Sequence, residues 1–182
     1  DCPFAGSGVT IEVCKHRVGR YWISDRKPNV ERESEIRKHD LTTDGMPPLN
    51  NRWSDVTLTY LDPPYWRQAF EKYSKDETDL ANMPLEKFTK TLANIVKDIS
   101  RKQSKGMIAL LIQPTQWSAD NKQFTDHVAD LIAEVGNKRL TLENRVACPY
   151  ESEQCNAQMV EWAKSNKKLL VLTRELIIWR IV

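Results

Sequence analysis

Short apolar runs alternate along this chain with longer amphipathic stretches, and that alternation most limits how the chain can fold. The segments 20–24 (RYWIS), 55–61 (DVTLTYL) and 106–112 (GMIALLI) consist mostly of aliphatic, aromatic or β-branched residues. Runs of this length suit strands of a parallel sheet that is buried on both faces. Strands that alternate with helices imply right-handed crossovers and a doubly wound α/β sheet.

Three segments are predicted to be helices because their apolar residues recur at spacings of three and four. The first lies within 83–103, where Pro84 suits the first turn and one stripe is formed by Leu85, Phe88, Leu92, Ile95, Val96 and Ile99. The second is predicted at 120–135 and ends before Gly136, with an inward face of Phe124, Val128, Leu131, Ile132 and Val135. The third is predicted at roughly 153–165.

Two further strands are predicted near the end of the sequence. The segment 140–150 (LTLENRVACPY) favours a strand, and 167–182 (KKLLVLTRELIIWRIV) favours one strand or a hairpin that bends near Arg174 and Glu175. Because these two strands are close in the chain, we expect them to pair antiparallel. The polar segments 26–54 and 66–83 are expected to be loops.

The composition indicates one folded domain and excludes several classes of protein. The chain has 182 residues, of which 40% are hydrophobic and 29% charged, which is enough apolar material for a core. The formal net charge of +2, without any Lys/Arg run, permits a nucleic-acid partner but does not require one. The longest apolar runs are too short to cross a bilayer, and no segment has the pattern of a signal peptide, so we expect a cytoplasmic protein without a membrane partner.

The cysteines and histidines do not indicate a metal site. No CxxC pair occurs among the four cysteines, which we expect to be free and mostly buried thiols in a reducing compartment. The histidines His16, His39 and His127 lack ligand spacing and are expected at the surface or in caps. The tryptophans Trp22, Trp162 and Trp179 are expected in the core.

The first ten residues, DCPFAGSGVT, contain a glycine loop before a helix predicted from Val9 to about His16. Glycine lets backbone approach a ligand closely, and a helix N-terminus adds unpaired N–H donors. A GxG motif alone is common in ordinary turns. Here Asp25 follows at the end of a short strand, where an acid is well placed to accept hydrogen bonds from ribose hydroxyls, and Asp40 follows another short segment.

The strand 55–61 ends in LDPPY, which places a carboxylate, two prolines and an aromatic ring where α/β sheets bind ligands. The exocyclic amine of a nucleobase is a poor nucleophile because its lone pair is delocalised into the ring. Asp62 and the carbonyl of Pro63 can accept its hydrogens and favour a tetrahedral nitrogen, and the two prolines keep these acceptors aimed. Tyr65 offers a face on which a flipped base can stack, and the alternative is an ordinary strand-terminating turn.

These motifs, in this order, resemble the amino-group DNA methyltransferases, which transfer a methyl group from S-adenosylmethionine to adenine N6 or cytosine N4. PFAGSGVT is similar to their cofactor motif, VGRYWISDRKP to the ribose-binding segment, RKHDL to the adenine-binding segment and LDPPY to the catalytic motif. The later strands fit the same domain, so the resemblance spans essentially the whole chain. It implies a doubly wound, Rossmann-like methyltransferase sheet, mostly parallel with an antiparallel terminal strand.

The resemblance implies roles for individual residues. S-adenosylmethionine would be bound by Phe4, Gly6, Ser7, Gly8, Thr10, Asp25 (ribose) and Asp40 (adenine). The target amine would be held by Asp62, Pro63, Pro64 and Tyr65, and the substrate contacted by Trp66 and Arg67 through stacking and phosphate pairing, although both could instead serve packing and solvation. Cys2 departs from the pattern, because the family usually has an aspartate there.

Residues 1–182 are expected to form a single catalytic domain that lacks its first strand and N-terminal helix, because the sequence starts inside the first motif. An Asp before the two prolines favours adenine N6 over cytosine N4, for which Ser is commoner. The alternatives are an RNA guanine-N2 methyltransferase and a non-catalytic, methyltransferase-like binding subunit. Recognition of a DNA target, with or without a restriction partner, is expected from a missing N-terminal segment, from a partner subunit, or from the segments 66–83 and 148–166. The segments 114–116 and 149–154 follow strand ends and are candidates for substrate contact, with ordinary loop caps as the alternative.

Overall fold

The computed structural model describes residues 1–17, 19–68, 71, 74–116, 124–150 and 155–182, which form a mixed α/β structure. Its helices are α1 (Val9–Arg17), α2 (Leu85–Lys102), α3 (His127–Val135) and α4 (Ala157–Asn166). Its strands are β1 (Ser24–Asp25), β2 (Arg37–Lys38), β3 (Leu58–Leu61), β4 (Gly106–Ile112), β5 (Leu140–Pro149) and β6 (Thr173–Ile181). The predicted alternation of strands and helices is observed from β3 onward, whereas β1, β2 and β3 follow one another in the described segment 24–61 without an intervening α-helix. The strand predicted at 20–24 is reduced to Ser24–Asp25, and the predicted loop 26–54 contains β2 and single 3-10 turns.

The larger sheet has the strand order β3-β4-β6-β5. β3 and β4 are parallel, whereas β6 is antiparallel to both of its neighbours. The expected antiparallel pairing of the last two strands is confirmed, and the final segment forms one strand rather than a hairpin. Because β6 is inserted between β4 and β5, the last strand in the chain has an interior position in the sheet.

The dipeptide Asp1–Cys2 connects this sheet to the smaller parallel pair β1-β2. On one side the Cys2 N–H donates to the Trp22 carbonyl (2.9 Å) and the Cys2 carbonyl accepts from Ser24 (3.0 Å). On the other side the Asp1 nitrogen donates to the Leu58 carbonyl (2.8 Å), and the Asp1 carbonyl accepts from Tyr60 (2.8 Å). Both patterns are those of parallel neighbours. The hydrogen-bonded order is therefore β2, β1, residues 1–2, β3, β4, β6, β5.

The main core lies where α2 covers the sheet and packs against α3. Five of the six residues of the predicted α2 stripe, Phe88, Leu92, Ile95, Val96 and Ile99, are buried in one cluster with sheet residues such as Ile108, Leu110, Ile177 and Trp179. The sixth, Leu85 in the first turn, is only partly buried. A second, smaller cluster lies under the glycine loop and contains Cys2, Ala5, Ile11, Ile23 and Ile36. Of the tryptophans expected in the core, Trp179 is fully buried, whereas Trp22 and Trp162 are only half-buried.

The start of α3 differs from the prediction. The side chain of Asp126 accepts a hydrogen bond from Ala129 N–H and caps the helix, so that the helix begins at His127. Residues 124–126 are not helical, and Phe124, which was predicted to face inward, is half exposed. The positions 120–123 of the prediction lie outside the described residues. Helix α4 begins at Ala157 after an Asn156 cap, and positions 153–154 likewise lie outside.

His127 also corrects a prediction, because it is completely buried rather than at the surface. Its ring meets Trp66 and Phe88 edge-on, with centroid distances of 5.9 and 5.5 Å. Neither ring nitrogen has a hydrogen bond, although the carbonyls of Gln113 and Thr125 lie nearby. Burial lowers the pKa of His127, since the charged ring would be poorly solvated there.

All four cysteines are free thiols, and only Cys2 is fully buried. In the described part of the chain no three His, Cys, Asp or Glu side chains cluster closely enough to hold a metal ion. The helices of the described residues include none that is both long enough and apolar enough to cross a membrane.

Candidate functional site

The motifs singled out in the sequence meet at one edge of the connected sheets. The glycine loop follows residues 1–2, Asp25 ends β1, and Asp62 follows β3. Since these three strands are parallel neighbours, their carboxyl ends lie side by side. We call this edge, formed by the residues that follow or end the parallel strands, the carboxyl rim.

The conformation of the glycine loop at the carboxyl rim depends on two glycines with positive φ angles and on a hydrogen bond to Asp25. Gly6 and Gly8 have φ angles of +52° and +87°, a conformation that glycine adopts without strain. The Gly6 N–H donates to Oδ2 of Asp25 (2.9 Å). A Cβ at Gly8 would lie 2.7 Å from Cδ of Arg32, whereas a Cβ at Gly6 would meet no atom within 4 Å. The space beside Gly6 is therefore open.

Asp25 is the central acid of this half of the rim. Its Oδ2 accepts from Gly6, and its Oδ1 accepts from the N–H of Lys27 (2.8 Å). Burial raises the pKa of Asp25, and these two hydrogen bonds act in the opposite direction. A carboxylate can accept about four hydrogen bonds, so Asp25 retains capacity for ribose hydroxyls.

Asp40 lies close to Asp25 because the His39 N–H donates to the Asp25 carbonyl (2.9 Å). Its Oδ1 accepts from the hydroxyl of Thr42 (2.6 Å), and its Oδ2 pairs with Nε of Arg26 (3.2 Å). Arg26 also pairs with Asp76 (2.7 Å) and so links this turn to the loop 66–83. The chain's own groups therefore already bind Asp40.

The remaining predicted cofactor residues are placed as follows. Phe4 is half-buried against the main core, Ser7 is exposed, and Thr10 lies in the first turn of α1. Cys2 is buried beneath the loop, with its thiol 3.9 Å from the Phe4 carbonyl. Burial raises the pKa of the Cys2 thiol, and Thr10 opposes this with a side-chain hydrogen bond.

The segment 62–65 forms the next part of the carboxyl rim. The hydroxyl of Tyr65 donates to Oδ1 of Asp62 (2.9 Å), and both side chains are half-buried. Burial raises the pKa of Asp62, while the Tyr65 hydrogen bond and the nearby positive charge of Arg174 act to lower it. Burial, together with the negative charge of Asp62, also raises the pKa of Tyr65.

Trp66 faces inward and anchors this loop. Its indole N–H donates to the Met83 carbonyl (2.9 Å), and its own carbonyl accepts from Oγ1 of Thr115 (3.0 Å). Its ring packs against the main core and His127. Arg67 has a φ of +61° and places its guanidinium 5.7 Å from the Trp66 ring centroid. Contact of either residue with a substrate stays a prediction.

The predicted contact segments 114–116 and 149–154 have different outcomes. In the first, Thr115 is buried against Trp66, and the amide of Gln116 bridges Leu169 and Val171, so both side chains hold loops together. In the second, Tyr150 lies on the carboxyl rim after β5, and positions 151–154 lie outside the described residues.

Sequence reasoning did not identify Arg174 as a site residue. It lies at the start of β6, half-buried, with its guanidinium carbon 5.5 Å from the Tyr65 ring centroid and 5.9 Å from that of Tyr150. The signal that could have found it was the predicted antiparallel terminal strand, because the first residues of such a strand lie at the carboxyl ends of its parallel neighbours.

Comparison with known proteins gives a distant likeness among solved structures and none among family models or curated sequences. Among solved structures, the chain is similar to a presumed DNA modification methylase from Thermus thermophilus, with a TM-score of 0.45 and 14% identity. The match covers 70% of this chain and 45% of that one, so the chain spans less than half of the length of that structure.

Proposed function

We propose that this chain transfers a methyl group from S-adenosylmethionine to the exocyclic amine of a flipped DNA base, with adenine N6 favoured over cytosine N4. The observation that carries the proposal is the adjacency of two features on the carboxyl rim. An open glycine loop flanked by Asp25 lies beside a half-buried carboxylate, Asp62, hydrogen-bonded to an aromatic residue, Tyr65. A donor site and an acceptor site on neighbouring strands suit direct transfer between two bound molecules.

The glycine-loop half fits S-adenosylmethionine. The open space beside Gly6 admits a ligand close to the backbone, Asp25 has acceptor capacity for ribose hydroxyls, and Asp40 follows the next strand outward, where the adenine would lie. The bound cofactor would supply an electrophilic methyl group on a sulfonium. The order of parallel strands through residues 1–2 supports a doubly wound, Rossmann-like domain as the scaffold of this half.

The role of Asp62 is to accept a hydrogen bond from the target amine. One carboxylate oxygen accepts from Tyr65, which fixes the carboxylate plane, and the second oxygen and the Pro63 carbonyl are the two acceptors we assign to the amine. The nitrogen lone pair would bond to the methyl carbon of the bound cofactor, the sulfur would keep the electron pair of the broken carbon–sulfur bond, and the proton displaced from the amine would leave to solvent. The transfer therefore needs positioning by the chain and no covalent enzyme intermediate.

The base would stack on Tyr65, and stacking on an aromatic side chain contributes about 1–3 kcal/mol per base. Trp66, anchored through Met83 and Thr115, would keep the loop rigid while the base enters. We assign recognition of the target sequence to a segment outside residues 1–182 or to a partner subunit.

The test is transfer of labelled methyl from S-adenosylmethionine to unmethylated genomic DNA and, in a separate reaction, to total RNA, followed by analysis of the nucleosides. We expect label in N6-methyladenine, and its loss in Asp62→Ala. The matched control is Asp98→Ala, because Asp98 is an exposed residue of α2 that pairs with Arg101 and lies outside the rim.

Three other outcomes would reject or change the proposal. Label in N4-methylcytosine would change the base. Label in RNA alone, at guanine N2, would replace the substrate class. Cofactor binding without transfer to any nucleic acid would favour a non-catalytic binding subunit.

A further inference from the structure

We propose that Arg174 binds the phosphodiester of the nucleotide whose base enters the site, and that Tyr65 and Tyr150 hold the guanidinium for this purpose. The inference rests on the proposed function and extends it to a residue that no motif contains. It assigns an anion site to the side of the carboxyl rim that lies away from the glycine loop.

The sheet brings these three residues together from distant parts of the chain. Tyr65 follows β3, and Tyr150 follows β5, which runs parallel to β3 and β4. Arg174 is the second residue of β6, whose antiparallel direction places its first residues at that same edge. Cys148 is the partner of Arg174 on β5, and the next residue, Glu175, pairs with Ile112 at the end of β4. The arrangement therefore depends on the strand order and not on a local loop.

The described surroundings of Arg174 leave one of its N–H donors without a partner. The guanidinium lies over two aromatic rings, which stabilise its charge but accept no in-plane hydrogen bonds. Among the described residues its buried Nε has no hydrogen-bond partner, and the ion pairs found there do not include Arg174. A buried donor without a partner is unfavourable, so the site is completed by an acceptor that arrives with a ligand.

The geometry of a guanidinium favours a phosphate as that acceptor. The edge of a guanidinium presents parallel N–H donors in one plane, which match two oxygens of a phosphate or carboxylate. Asp62 is near enough to feel the charge of Arg174, yet it makes its hydrogen bond with Tyr65. A base stacked on Tyr65 would bring its own backbone phosphate to the neighbouring Arg174.

The carboxylate of the cofactor is the other anion in the proposed reaction, and the strand order argues against it. The glycine loop follows residues 1–2, whereas Arg174 lies near the start of a strand three places away, beyond β3 and β4. At a strand spacing of about 4.8 Å, this separation is roughly 14 Å. Arg174 is therefore on the substrate side of Asp62.

The experiment measures binding of a fluorescent, mixed-sequence single-stranded DNA as a function of salt, with S-adenosylmethionine affinity measured in parallel by calorimetry. Arg174→Gln is expected to weaken DNA binding about 10-fold and to reduce the slope of log K against log salt by about 0.7. Arg174→Lys should keep the slope but recover only part of the affinity, because an ammonium cannot bind bidentately. Cofactor affinity should be unchanged in both variants.

The matched control is Arg180→Gln, at the opposite end of β6, where the guanidinium already pairs with Glu143. DNA binding should be unchanged in this variant. A thermal unfolding midpoint near that of the wild type establishes that each variant is folded. If Arg174→Gln does not fold, Arg174→Lys provides the test, because it keeps a cation near the two tyrosine rings.

The outcomes separate this inference from the proposed function. An unchanged salt slope in Arg174→Gln, while the wild type binds DNA, would overturn the phosphate site and leave the methyl-transfer proposal intact. A loss of cofactor affinity alone would reassign Arg174 to the cofactor carboxylate. Failure of the wild-type protein to bind any DNA would overturn both.

Discussion

The two halves of the carboxyl rim differ in how far their polar side chains are already hydrogen-bonded within the chain. On the glycine-loop side, Asp25 accepts two backbone N–H groups and Asp40 is bound by Arg26 and Thr42, so both acids already have partners within the chain. On the other side, Asp62 has one side-chain hydrogen bond and a raised pKa, and Arg174 has a buried donor without a partner among the described residues.

The difference shows how each half would meet its ligand. The glycine-loop half is preorganised, so a cofactor adds hydrogen bonds to acids that are already fixed in place. The Asp62 half retains unsatisfied polar groups, and a substrate with an amine and a phosphate would supply what each of them lacks. The first half therefore favours affinity, and the second favours interactions that are completed only when the target base is bound.

The largest expected effect is that of Asp62→Asn, which removes the negative charge of Asp62 from the second half of the carboxyl rim. Transfer should fall about 10²–10³-fold in a single-turnover assay, because one preorganised polar contact is lost. Stability should not fall, since the folded-state pKa of Asp62 is raised above its ordinary value of 3.8. Ionising Asp62 therefore costs folding free energy as the pH rises above 3.8, and the amide avoids that cost at neutral pH.

The corresponding control is Asp98→Asn, which should leave both the rate and the unfolding midpoint unchanged. An Asp62→Asn variant that transfers methyl groups at the wild-type rate would remove the distinction between the two halves.

The next effect is expected in the glycine loop, where two glycines provide a matched pair. Gly6→Ala and Gly8→Ala both force alanine to a positive φ, which costs about 1–2 kcal/mol. Gly8→Ala should lose more stability in urea, because its Cβ would clash with Arg32. Gly6→Ala should instead lose cofactor affinity about 10-fold, because its Cβ occupies the open space. Equal cofactor affinities for Gly6→Ala and the wild type would place the cofactor elsewhere.

A smaller and pH-dependent effect is expected at His127, beneath Trp66. Because burial lowers its folded-state pKa, the unfolded chain binds a proton more readily, and stability should fall as the pH falls through the ordinary value of 6.5. His127→Leu should therefore reduce the difference between the unfolding midpoints at neutral and acid pH. The nearby Asp126 and Asp130 favour the charged ring, but burial has the larger effect on its pKa. Exposed His16→Gln is the control and should change nothing.

The smallest expected effect is that of Asp40→Asn. The ion pair with Arg26 is partly exposed, Arg26 keeps Asp76 as a partner, and the amide oxygen can still accept from Thr42. The free energy of unfolding should change by less than about 1 kcal/mol. A larger loss of stability in chemical denaturation would mean that the first half depends on this acid more than its hydrogen bonds indicate.

Features of the fold that depend on local periodicity could be predicted from the sequence. The stripe of α2 and the glycine that ends α3 follow directly from residue spacing. The start of α3 could not be placed, because Phe124 continues the apolar pattern although Asp126 caps the helix after it. The burial of His127 was also missed, since it results from packing between α2 and the loop at Trp66.

The candidate site divides in the same way. The positions of Gly6, Asp25 and Asp62 at strand ends are readable from short motifs, whereas the partners that fix their side chains are not. The place of Arg174 in the site could not be predicted from the sequence, because its neighbours Tyr65 and Tyr150 are brought to it only by the long-range order of three strands. Motif reasoning finds residues that act within a loop, and it misses those placed by sheet topology.

The interior position of β6 also affects the order in which the molecule can fold. While residues 173–181 are still within the ribosome, β4 and β5 lack their shared neighbour, and Ile177 and Trp179 are missing from the core. The contacts between residues 1–2, β1 and β3 require no later segment, so we expect the nascent chain to form the glycine-loop half first. Competence to hold a substrate would then arise late, when the last strand enters the sheet and completes the rim.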